Sequence, residues 1–354
     1  VGATIKWRVY ANDSTNKWNA TDIFVYTTTK PSIFYCSSCE ECSSYLQNGT
    51  MVSGDILKLT ADITNYAGAN DNTHEGETCI SFGGADNLTF DCQGHTISGD
   101  GDSYGYGIWL NDSDSGSNNN TIKNCGNISY FRCGTYLYSS NNNTLQNITT
   151  NNNDYGTYLR YSSSNTLQNI TTNNNNYGTY LYSSSSNTLQ NITTNNNDFY
   201  GTYLYSSNNN NTLQNIISNN NNYGTYLDSS SSNTLINVTA NYNTWYGIFL
   251  SSSDQNTLTN ITTTSNNRGI YLQNSNNNTI SSSNISSNSD YGIMLQYDSD
   301  YNTFTSSIIT NNGIAGIYLQ NSTADPEFNL FYNNYLNNTE NLILESGISG
   351  ENYF

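Results

Sequence analysis

The sequence predicts an all-β fold, a parallel β-helix built from short coils, and two markers that recur in phase predict it. The first marker is the string Asn-Thr-Leu or a close variant, which begins at Asn143, Asn165, Asn187, Asn211, Asn233, Asn256, Asn278 and Asn302, 22 to 24 residues apart. The second is Gly-x-x-Leu, with ten copies from Gly107 to Gly316. Within a copy the apolar residues lie two apart between Ser and Asn clusters, which indicates strands and turns and not helices.

Stacking of about ten such coils explains how a chain with only 34% hydrophobic residues can form a core. Each copy supplies one Leu from Gly-x-x-Leu, one Leu from Asn-Thr-Leu and one Ile or Val, and each of these forms an interior column with its equivalents in the next coils. Neighbouring coils then lie at the strand spacing of ~4.8 Å.

An Asn separates the second and third interior columns, at Asn147, Asn169, Asn191, Asn215, Asn237 and Asn260. The chain must bend sharply there, and Asn tolerates the left-handed backbone conformation better than other non-glycine residues. We expect a hydrogen-bonded ladder of amides turned into the coil. Glycosylation sequons at these positions should therefore be empty, and the better candidates are Asn12, Asn48, Asn111 and Asn337.

The pattern Tyr-Gly-[Thr/Ile]-Tyr-Leu followed by Asn-Thr-Leu resembles the parallel β-helix repeat family, in its branch of NosD-like carbohydrate-binding and sugar-hydrolase repeats common in archaeal surface proteins. The resemblance covers about residues 77 to 354 and includes an entry coil, Thr78-Cys79-Ile80 with Asp86 to Ile97. It implies a right-handed solenoid. The copper of the NosD name is not expected, because two His and two Met cannot build a copper site of the usual kind.

The first 76 residues do not follow the repeat. Residues 1 to 30 contain two alternating strands that resemble the terminal strands of an immunoglobulin-like module. Three interpretations of these strands are open: they belong to a truncated module, they are donated to a neighbouring molecule, or they cover the first coil. Residues 31 to 76 are predicted to form a Cys-containing cap. A short helix is expected within it, because Ser38 and Glu41 form a capping box. Residues 77 to 354 form the β-helix.

Seven cysteines lie before residue 134: Cys36, Cys39, Cys42, Cys79, Cys92, Cys125 and Cys133. The first three form C-x-x-C-x-x-C, which could bind zinc or an iron–sulfur cluster with Cys79 or His74 as fourth ligand. Disulfides that staple the non-repetitive part of an extracellular protein are the favoured interpretation. Since seven is odd, one thiol is buried, free or paired between molecules.

Four acidic residues in two Gly-rich insertions are weak calcium candidates: Asp100, Asp102, Asp112 and Asp114. Alternating carboxylates can hold calcium, but Asp is also an ordinary turn residue and no bidentate Glu follows at the EF-hand spacing. No other cofactor is expected.

No catalytic residues are expected. Polysaccharide cleavage needs carboxylates together with Arg or Lys on one face. Within the repeats Arg132, Arg160 and Arg268 lie on different coils, and the acidic residues are solitary. The sequence therefore predicts that the chain is not an enzyme.

An outward aromatic stripe precedes the inward Leu in each coil: Trp109, Tyr136, Tyr158, Tyr180, Tyr203, Tyr226, Phe249, Tyr271 and Tyr318, with Met294 in the same column. Aromatic faces with a polar tip suit stacking on sugars or packing against another protein. The alternative is that Tyr was selected for β-propensity and cross-strand stacking.

The net charge of −18 excludes nucleic acid and anionic membranes as partners, and no apolar run is long enough to span a membrane. We expect a non-enzymatic extracellular structural protein, such as a surface layer, an adhesin or a filament subunit, whose main partner is itself. The alternative is a glycan-binding module that uses the aromatic stripe, and a polysaccharide-cleaving enzyme is less favoured.

Overall fold

The computed structural model describes residues 4–27, 30–68, 77–101, 105–111, 116–207, 210–321, 325–348 and 351–354. In these ranges the chain forms an N-terminal hairpin, one helix and a long parallel β-helix. The predicted parallel β-helix is confirmed.

The hairpin contains β1 (Thr4–Trp7), β2 (Tyr10–Asn12), β3 (Trp18–Ala20) and β4 (Phe24–Thr27). β1 pairs with β4 and β2 with β3, both antiparallel. Asp13 closes the turn, where its Oδ1 accepts hydrogen bonds from the backbone N–H of Thr15 at 2.8 Å and of Lys17 at 3.1 Å. The side chains of residues 4 to 25 are exposed. The relation to an immunoglobulin-like module stays a prediction.

The following segment contains β5 (Ile33–Cys36), α1 (Cys39–Gln47), β6 (Ile56–Leu59) and β7 (Ile63–Tyr66). The Ser38 hydroxyl caps α1 and accepts a hydrogen bond from the Glu41 backbone N–H at 3.2 Å. β5 and β6 pair in parallel, with Ile33 opposite Ile56. Residues 33 to 66 therefore already contribute strands to the solenoid.

The remaining strands are β8 (Ile80–Ser81), β9 (Thr89–Asp91), β10 (Thr96–Gly99), β11 (Tyr106–Leu110), β12 (Thr121–Ser129), β13 (Cys133–Tyr138), β14 (Thr144–Asn151), β15 (Tyr155–Arg160), β16 (Thr166–Asn173), β17 (Tyr177–Tyr182), β18 (Thr188–Thr193), β19 (Tyr200–Tyr205), β20 (Thr212–Ile217), β21 (Tyr223–Asp228), β22 (Thr234–Thr239), β23 (Tyr246–Ser251), β24 (Thr257–Thr259), β25 (Thr262–Thr264), β26 (Arg268–Gln273), β27 (Thr279–Ser281), β28 (Asn284–Ser286), β29 (Tyr291–Gln296), β30 (Thr303–Thr305), β31 (Ile308–Thr310), β32 (Ala315–Gln320), β33 (Leu330–Tyr332), β34 (Tyr335–Asn337) and β35 (Leu342–Leu344).

These strands form two long parallel sheets. Sheet 1 has 19 strands and contains β5, β6, β7, β9, β10, β12 and the Asn-Thr-Leu strands that follow. Sheet 2 has 12 strands, β8, β11, β13, β15, β17, β19, β21, β23, β26, β29, β32 and β35, and these include the Gly-x-x-Leu strands. Equivalent residues pair in register, as Leu159 does with Leu181. The twelve strands exceed the predicted ten coils because β8 and β35 lack the Gly-x-x-Leu marker.

The interior combines the predicted apolar columns with buried polar columns that the sequence analysis missed. Leu181, Leu189 and Ile192 have no exposed surface. The Asn of Asn-Thr-Leu is equally buried: Asn187 donates from Nδ2 to Asn211 Oδ1 at 3.2 Å, and its backbone N–H donates to the same oxygen at 2.8 Å. A second buried Asn column, from Asn153 to Asn312, closes the opposite corner.

The predicted Asn ladder forms, but its direction was wrong. Asn147, Asn169, Asn191, Asn215, Asn237 and Asn260 have φ between 54 and 56° and are joined by amide hydrogen bonds of 2.8 to 3.0 Å. These side chains are exposed and lie outside the coil. The Leu and Ile on either side of the bend point into the interior. The Asn between them, which has the left-handed conformation, therefore projects outward.

Six cysteines form three disulfides, Cys36–Cys42, Cys39–Cys79 and Cys92–Cys125, and Cys133 is free and buried. The disulfide prediction is confirmed for these six cysteines. The metal alternative for C-x-x-C-x-x-C is wrong because all three sulfur atoms are used in disulfides, and its candidate ligand His74 lies outside the described residues. No helix within the described ranges has the length and apolar character needed to cross a membrane.

Candidate functional site

The outer surface of sheet 2, which we call the Tyr face, is covered by three columns of side chains. The first column contains Tyr155, Tyr177, Tyr200, Tyr223, Tyr246, Arg268 and Tyr291. The central column is the predicted aromatic stripe from Trp109 to Tyr318. The third column contains Tyr138, Arg160, Tyr182, Tyr205 and Asp228. The face is therefore three columns wide where the sequence predicted one.

The strand sequence Tyr-Gly-Thr-Tyr-Leu positions these columns. In β15, Thr157 and Leu159 are fully buried, so the alternation of the strand directs Tyr158 and Arg160 outward. Gly156 precedes them, where an added Cβ would lie 2.7 Å from the Gly178 carbonyl oxygen. Only glycine lets the coils approach this closely, so the repeated Gly holds the Tyr columns in register.

The rings of the central column stack on each other along the solenoid. Tyr180 and Tyr203 have centroids 4.8 Å apart and planes inclined by 5°, and Tyr203 and Tyr226 are 4.9 Å apart at 10°. Parallel rings this close must overlap, so each ring covers part of the next. Tyr136, Phe249 and Tyr271 are less than a tenth exposed. The stripe therefore offers mainly ring edges and hydroxyl groups, and the expectation that it offers free aromatic faces was wrong.

Burial among neighbouring rings keeps these phenols neutral. It raises the pKa of Tyr136 to about 12 and that of Tyr200 to about 12. Burial likewise raises the pKa of Tyr158, Tyr180 and Tyr203. Each hydroxyl can therefore both donate and accept a hydrogen bond over the whole physiological pH range.

Two arginines lie among the rings. The Arg160 guanidinium lies 5.7 Å from the ring centroid of Tyr138 and 5.6 Å from that of Tyr182. Arg268 lies 5.2 Å from the centroids of Tyr246 and Tyr271. Contacts of this kind hold a cation over an aromatic ring. From the sequence, these arginines were predicted to be isolated. Their contacts with the rings depend on the register between neighbouring coils.

One end of the Tyr face combines a cation, two phenols and a carboxylate. The Arg268 guanidinium lies 6.0 Å from the centroid of Tyr291, whose ring stacks on Tyr318 at 4.4 Å. The Tyr318 hydroxyl donates to Glu345 Oε2 at 2.9 Å, and this carboxylate also accepts from the Asn321 backbone N–H at 3.0 Å. The cluster therefore places a cation and a hydrogen-bonded carboxylate beside one pair of stacked phenols.

Other acidic residues touch the face singly. The Tyr203 hydroxyl donates to Asp228 Oδ2 at 3.4 Å. Burial raises the pKa of Asp154, which accepts a hydrogen bond from Asn176 Nδ2 at 3.1 Å.

The calcium candidates lie mostly beyond what the structure describes. Asp100 is exposed, and Asp102, Asp112 and Asp114 are outside the described residues. The searched part of the chain contains no group of three or more His, Cys, Asp or Glu side chains that could hold a metal ion.

The candidate glycosylation sites fall in different settings. Asn12 lies in β2 and its Nδ2 donates to Asn16 Oδ1 at 3.1 Å, and Asn337 lies in β34. Asn48 ends α1 and is exposed, whereas Asn111 is half-buried and accepts a hydrogen bond from Ser81 Oγ at 3.3 Å. Asn48 therefore offers the most accessible amide outside a strand.

Two family models match the chain. One, described as "Right handed beta helix region", matches residues 213–354. The other, described as "Periplasmic copper-binding protein (NosD)", matches residues 58–222 and 92–260. No curated protein sequence gives a significant match.

Several solved structures share the fold at low sequence identity. The A-module of mannuronan C-5 epimerase AlgE4 from Azotobacter vinelandii is 13% identical, with a TM-score of 0.59, and the match covers 85% of this chain and 91% of that one. The catalytic domain of a GH87 α-1,3-glucanase is 14% identical, at 0.58, covering 98% and 81%. The surface adhesin PfbA of Streptococcus pneumoniae is 14% identical, at 0.53, covering 78% and 82%.

These comparisons correct the exclusion of enzymes. The prediction that the chain is not an enzyme was wrong as an exclusion, because an epimerase and a glucanase share this fold over most of their length. At 13 to 14% identity the matches show the fold alone, and they allow an enzymatic role. Arg268 lies over the Tyr291 ring, and Glu345 bonds to Tyr318, which stacks on Tyr291. The order of residues along the chain does not reveal such contacts between coils.

Copper binding, printed in the name of one family model, does not fit the donor set of this chain. His95 is 3.0 Å from the Asp62 carboxylate, whereas Met51 and Met294 are buried elsewhere in the solenoid. Copper sites gather imidazole and sulfur ligands around one point. The described residues do not bring such ligands together.

Proposed function

Since the chain belongs to the NosD family of right-handed β-helix proteins, we propose that it is an extracellular or periplasmic protein that binds a polysaccharide along the Tyr face. The printed description of the family is periplasmic, and three disulfides suit an oxidising compartment. The epimerase and the glucanase that share the fold both act on polysaccharides.

One observation carries the proposal: the Tyr face repeats the same hydrogen-bonding groups at a constant interval. Ring centroids in the central column recur every 4.7 to 4.9 Å between Tyr158 and Phe249. This interval is close to the length of one sugar unit in an extended polymer. A polymer whose units repeat at this interval can make the same contact on every coil. A globular partner has no such repeat and would not benefit from identical contacts along the solenoid.

The chemistry of the face suits sugars. Neutral phenols offer a donor and an acceptor each, and ring edges add apolar contact beside them. A surface that combines aromatic rings with hydrogen-bonding groups can bind a ligand whose apolar and polar groups alternate over similar distances. Many weak identical contacts add up along one chain, which is the multivalent way to hold a polymer.

The test compares the two outer faces of the same coils. We expect replacement of Tyr180, Tyr203 and Tyr226 by Ser to abolish retardation in gels that contain polysaccharide. The matched control replaces Gln168, Gln190 and Gln214 on sheet 1 by Ser and should retain wild-type mobility. Equal loss in both variants, or no retarding polymer in a panel of neutral and acidic polysaccharides, would contradict the proposal. New reducing ends or unsaturated products would add catalysis to binding.

A second candidate function, self-assembly, depends on the N-terminal hairpin. Trp7 and Phe24 stack at 4.4 Å, yet Trp7 is 52% exposed, as is Ile5 on the same face. Two-stranded hairpins are marginal alone, and exposed apolar strands recruit other chains. Residues 1 to 30 carry four basic and two acidic side chains, whereas residues 269 to 354 carry eight acidic side chains and no Lys or Arg. We propose a second copy of this chain as the partner, with the basic hairpin against the acidic coils.

Sedimentation velocity at rising salt tests the assembly. The wild type should form species larger than a monomer at low salt, because opposite charges attract at this range. Exchange of Lys6 and Arg8 for Glu, or deletion of residues 1 to 30, should give monomers. Exchange of Lys58 for Glu is the control and should not change the distribution. A wild-type monomer at every concentration and ionic strength would contradict this candidate.

A further inference from the structure

A second aromatic feature lies at the corner where each coil leaves sheet 1 and enters sheet 2. Four of the eight coils with a buried corner Asn place one residue between this Asn and the first Tyr column, as Asp154 lies between Asn153 and Tyr155. Four coils insert a second residue: Phe199, Trp245, Asp290 and Ile314. The three apolar insertions are 44 to 49% exposed, so they project beside the Tyr face.

The coil that carries Trp245 also carries Tyr242, and both rings are free. Trp245 is 49% and Tyr242 62% exposed, and neither makes a ring contact with any described residue. The backbone of Trp245 is fixed, since its N–H donates to Asn222 O and its carbonyl accepts from the Arg268 N–H, both at 2.9 Å. Unlike the stacked stripe, these rings can offer their faces to a ligand.

A cleft of about 440 Å³ opens at the same corner and runs over the next two coils. It is lined by Tyr242, Thr244, Ser265, Asn267, Ser287 and Ser289, above the buried ladder residues Asn243 and Asn266. Its volume falls in the range of ~300–1,000 Å³ typical of small-molecule sites. No charged side chain lines it.

The cleft offers hydrogen-bonding groups that the protein does not use. The hydroxyls of Thr244, Ser265 and Ser287 bond to no other side chain or backbone atom among the described residues, and the three residues are exposed. By contrast, the ladder amides of Asn243 and Asn266 are fully engaged, with Asn243 Nδ2 donating to Asn266 Oδ1 at 3.0 Å. The Asn side chains at the base of the cleft are therefore held by hydrogen bonds, and the hydroxyls along its sides are available to a ligand.

We propose that this corner cleft is a subsite for an uncharged sugar unit of the polymer held on the Tyr face, an inference that rests on the proposed function. The apolar face of a pyranose would pack on Tyr242, and its hydroxyls would bond to Thr244, Ser265 and Ser287. An uncharged lining in a chain of net charge −18 disfavours uronate units, whose carboxylates would be repelled without a dedicated cation.

The test uses tetrasaccharides, which are too short to span the Tyr face. Isothermal titration of the full chain with gluco-, manno- and galacto-tetraoses should give binding for at least one, and tetramannuronate and tetragalacturonate should bind at least tenfold more weakly. Tyr242→Asn, which removes the ring and suits the left-handed backbone at this position (φ 57°), should weaken binding of the neutral tetraose at least tenfold. Phe199→Ser removes an exposed ring from the same corner two coils away, where no cleft residue lies, and should leave the affinity unchanged.

The outcomes separate the subsite from the proposed function. If the wild type is retarded by a polymer but binds no tetraose, or if Tyr242→Asn and Phe199→Ser behave alike, the subsite is wrong and the Tyr-face proposal stands. Preference for a uronate tetraose also overturns the subsite. If the wild type binds neither polymer nor tetraose, the proposed function fails with it. Unchanged circular dichroism of Tyr242→Asn confirms that any loss reflects binding, since this side chain lies at the surface.

Discussion

The two outer faces of this solenoid are built from the same coils and have opposite chemistry. Sheet 2 presents stacked Tyr rings, two arginines and scattered carboxylates. Sheet 1 presents rows of Gln, Thr and Asn, in which Gln146 Nε2 donates to Gln168 Oε1 at 3.2 Å and Asn169 Nδ2 to Asn147 Oδ1 at 2.9 Å. Both faces cover the same interior of Leu, Ile and buried Asn.

The difference shows which features the fold needs and which it does not. Polar ladders on sheet 1 satisfy their own hydrogen bonds coil by coil, so an outer face needs no aromatic side chains to be stable. The Tyr columns of sheet 2 are therefore more than a stable outer face requires. Their ring edges and phenol hydroxyls give this face an extended aromatic surface, which suits a binding surface.

Alkaline pH should produce the largest difference between the faces. Burial raises the pKa of Tyr136 and Tyr200 to about 12, whereas a tyrosine in an unfolded chain titrates near ~10. The unfolded state therefore loses protons first, so the stability from these neutral phenols is complete below about pH 10 and is lost as the pH rises to about 12. Tyrosinate absorbance and far-ultraviolet circular dichroism should change together in this window. Full tyrosinate absorbance with native dichroism would show that the rings are not buried.

A smaller difference is expected from single substitutions on matched coils. Tyr203 packs against the rings of Tyr180, Tyr200, Tyr205 and Tyr226, so Tyr203→Ser removes four ring pairs and should lower the free energy of unfolding by about 2–4 kcal/mol. Gln190→Ser on sheet 1 should lower it by no more than about 0.5 kcal/mol, as is usual at a surface position. Urea denaturation measures both. Equal effects would show that stacking adds nothing to stability.

The smallest expected effect concerns glycans on sheet 1. The ladder residues Asn147, Asn169, Asn191 and Asn260 lie in sequons and are exposed, so burial no longer argues against sugar there. Their Nδ2 atoms are still committed to the ladder, as Asn191 Nδ2 donates to Asn169 Oδ1 at 2.9 Å. We expect these four positions to be unmodified by peptide mass spectrometry, and any glycan to be at Asn12 or Asn48. Sugar at two ladder positions would refute this.

The sequence predicted the repeating part of the fold well because a repeat reports its own register. Identical spacing of Gly-x-x-Leu and Asn-Thr-Leu is enough to predict that Leu159 pairs with Leu181. It was less informative about polar residues, since two Asn occur within a few residues of each other in every coil. The buried one, such as Asn187, was taken as part of a turn, and the exposed one, Asn191, was placed inside.

The candidate site was predicted only in outline, because its properties depend on distances between coils. Outward Tyr residues follow from strand alternation, but the overlap of Tyr180 with Tyr203 and the position of Arg160 over Tyr182 do not. The corner cleft was missed altogether. Its signal was available in Tyr242, Ser265 and Ser287, each of which directly precedes a corner Asn on one of three successive coils.

Hydroxyl-radical footprinting of the wild type with and without a retarding polysaccharide tests the central claim most directly. Bound polymer should protect Tyr158, Tyr180, Tyr203 and Tyr226 from oxidation, and should leave Tyr35 and Tyr353, which are exposed away from the Tyr face, as reactive as before. Protection confined to the sheet 2 rings is the predicted result. Uniform protection, or protection of Tyr35 and Tyr353 without the sheet 2 rings, would contradict the assignment of the Tyr face as the polysaccharide-binding surface.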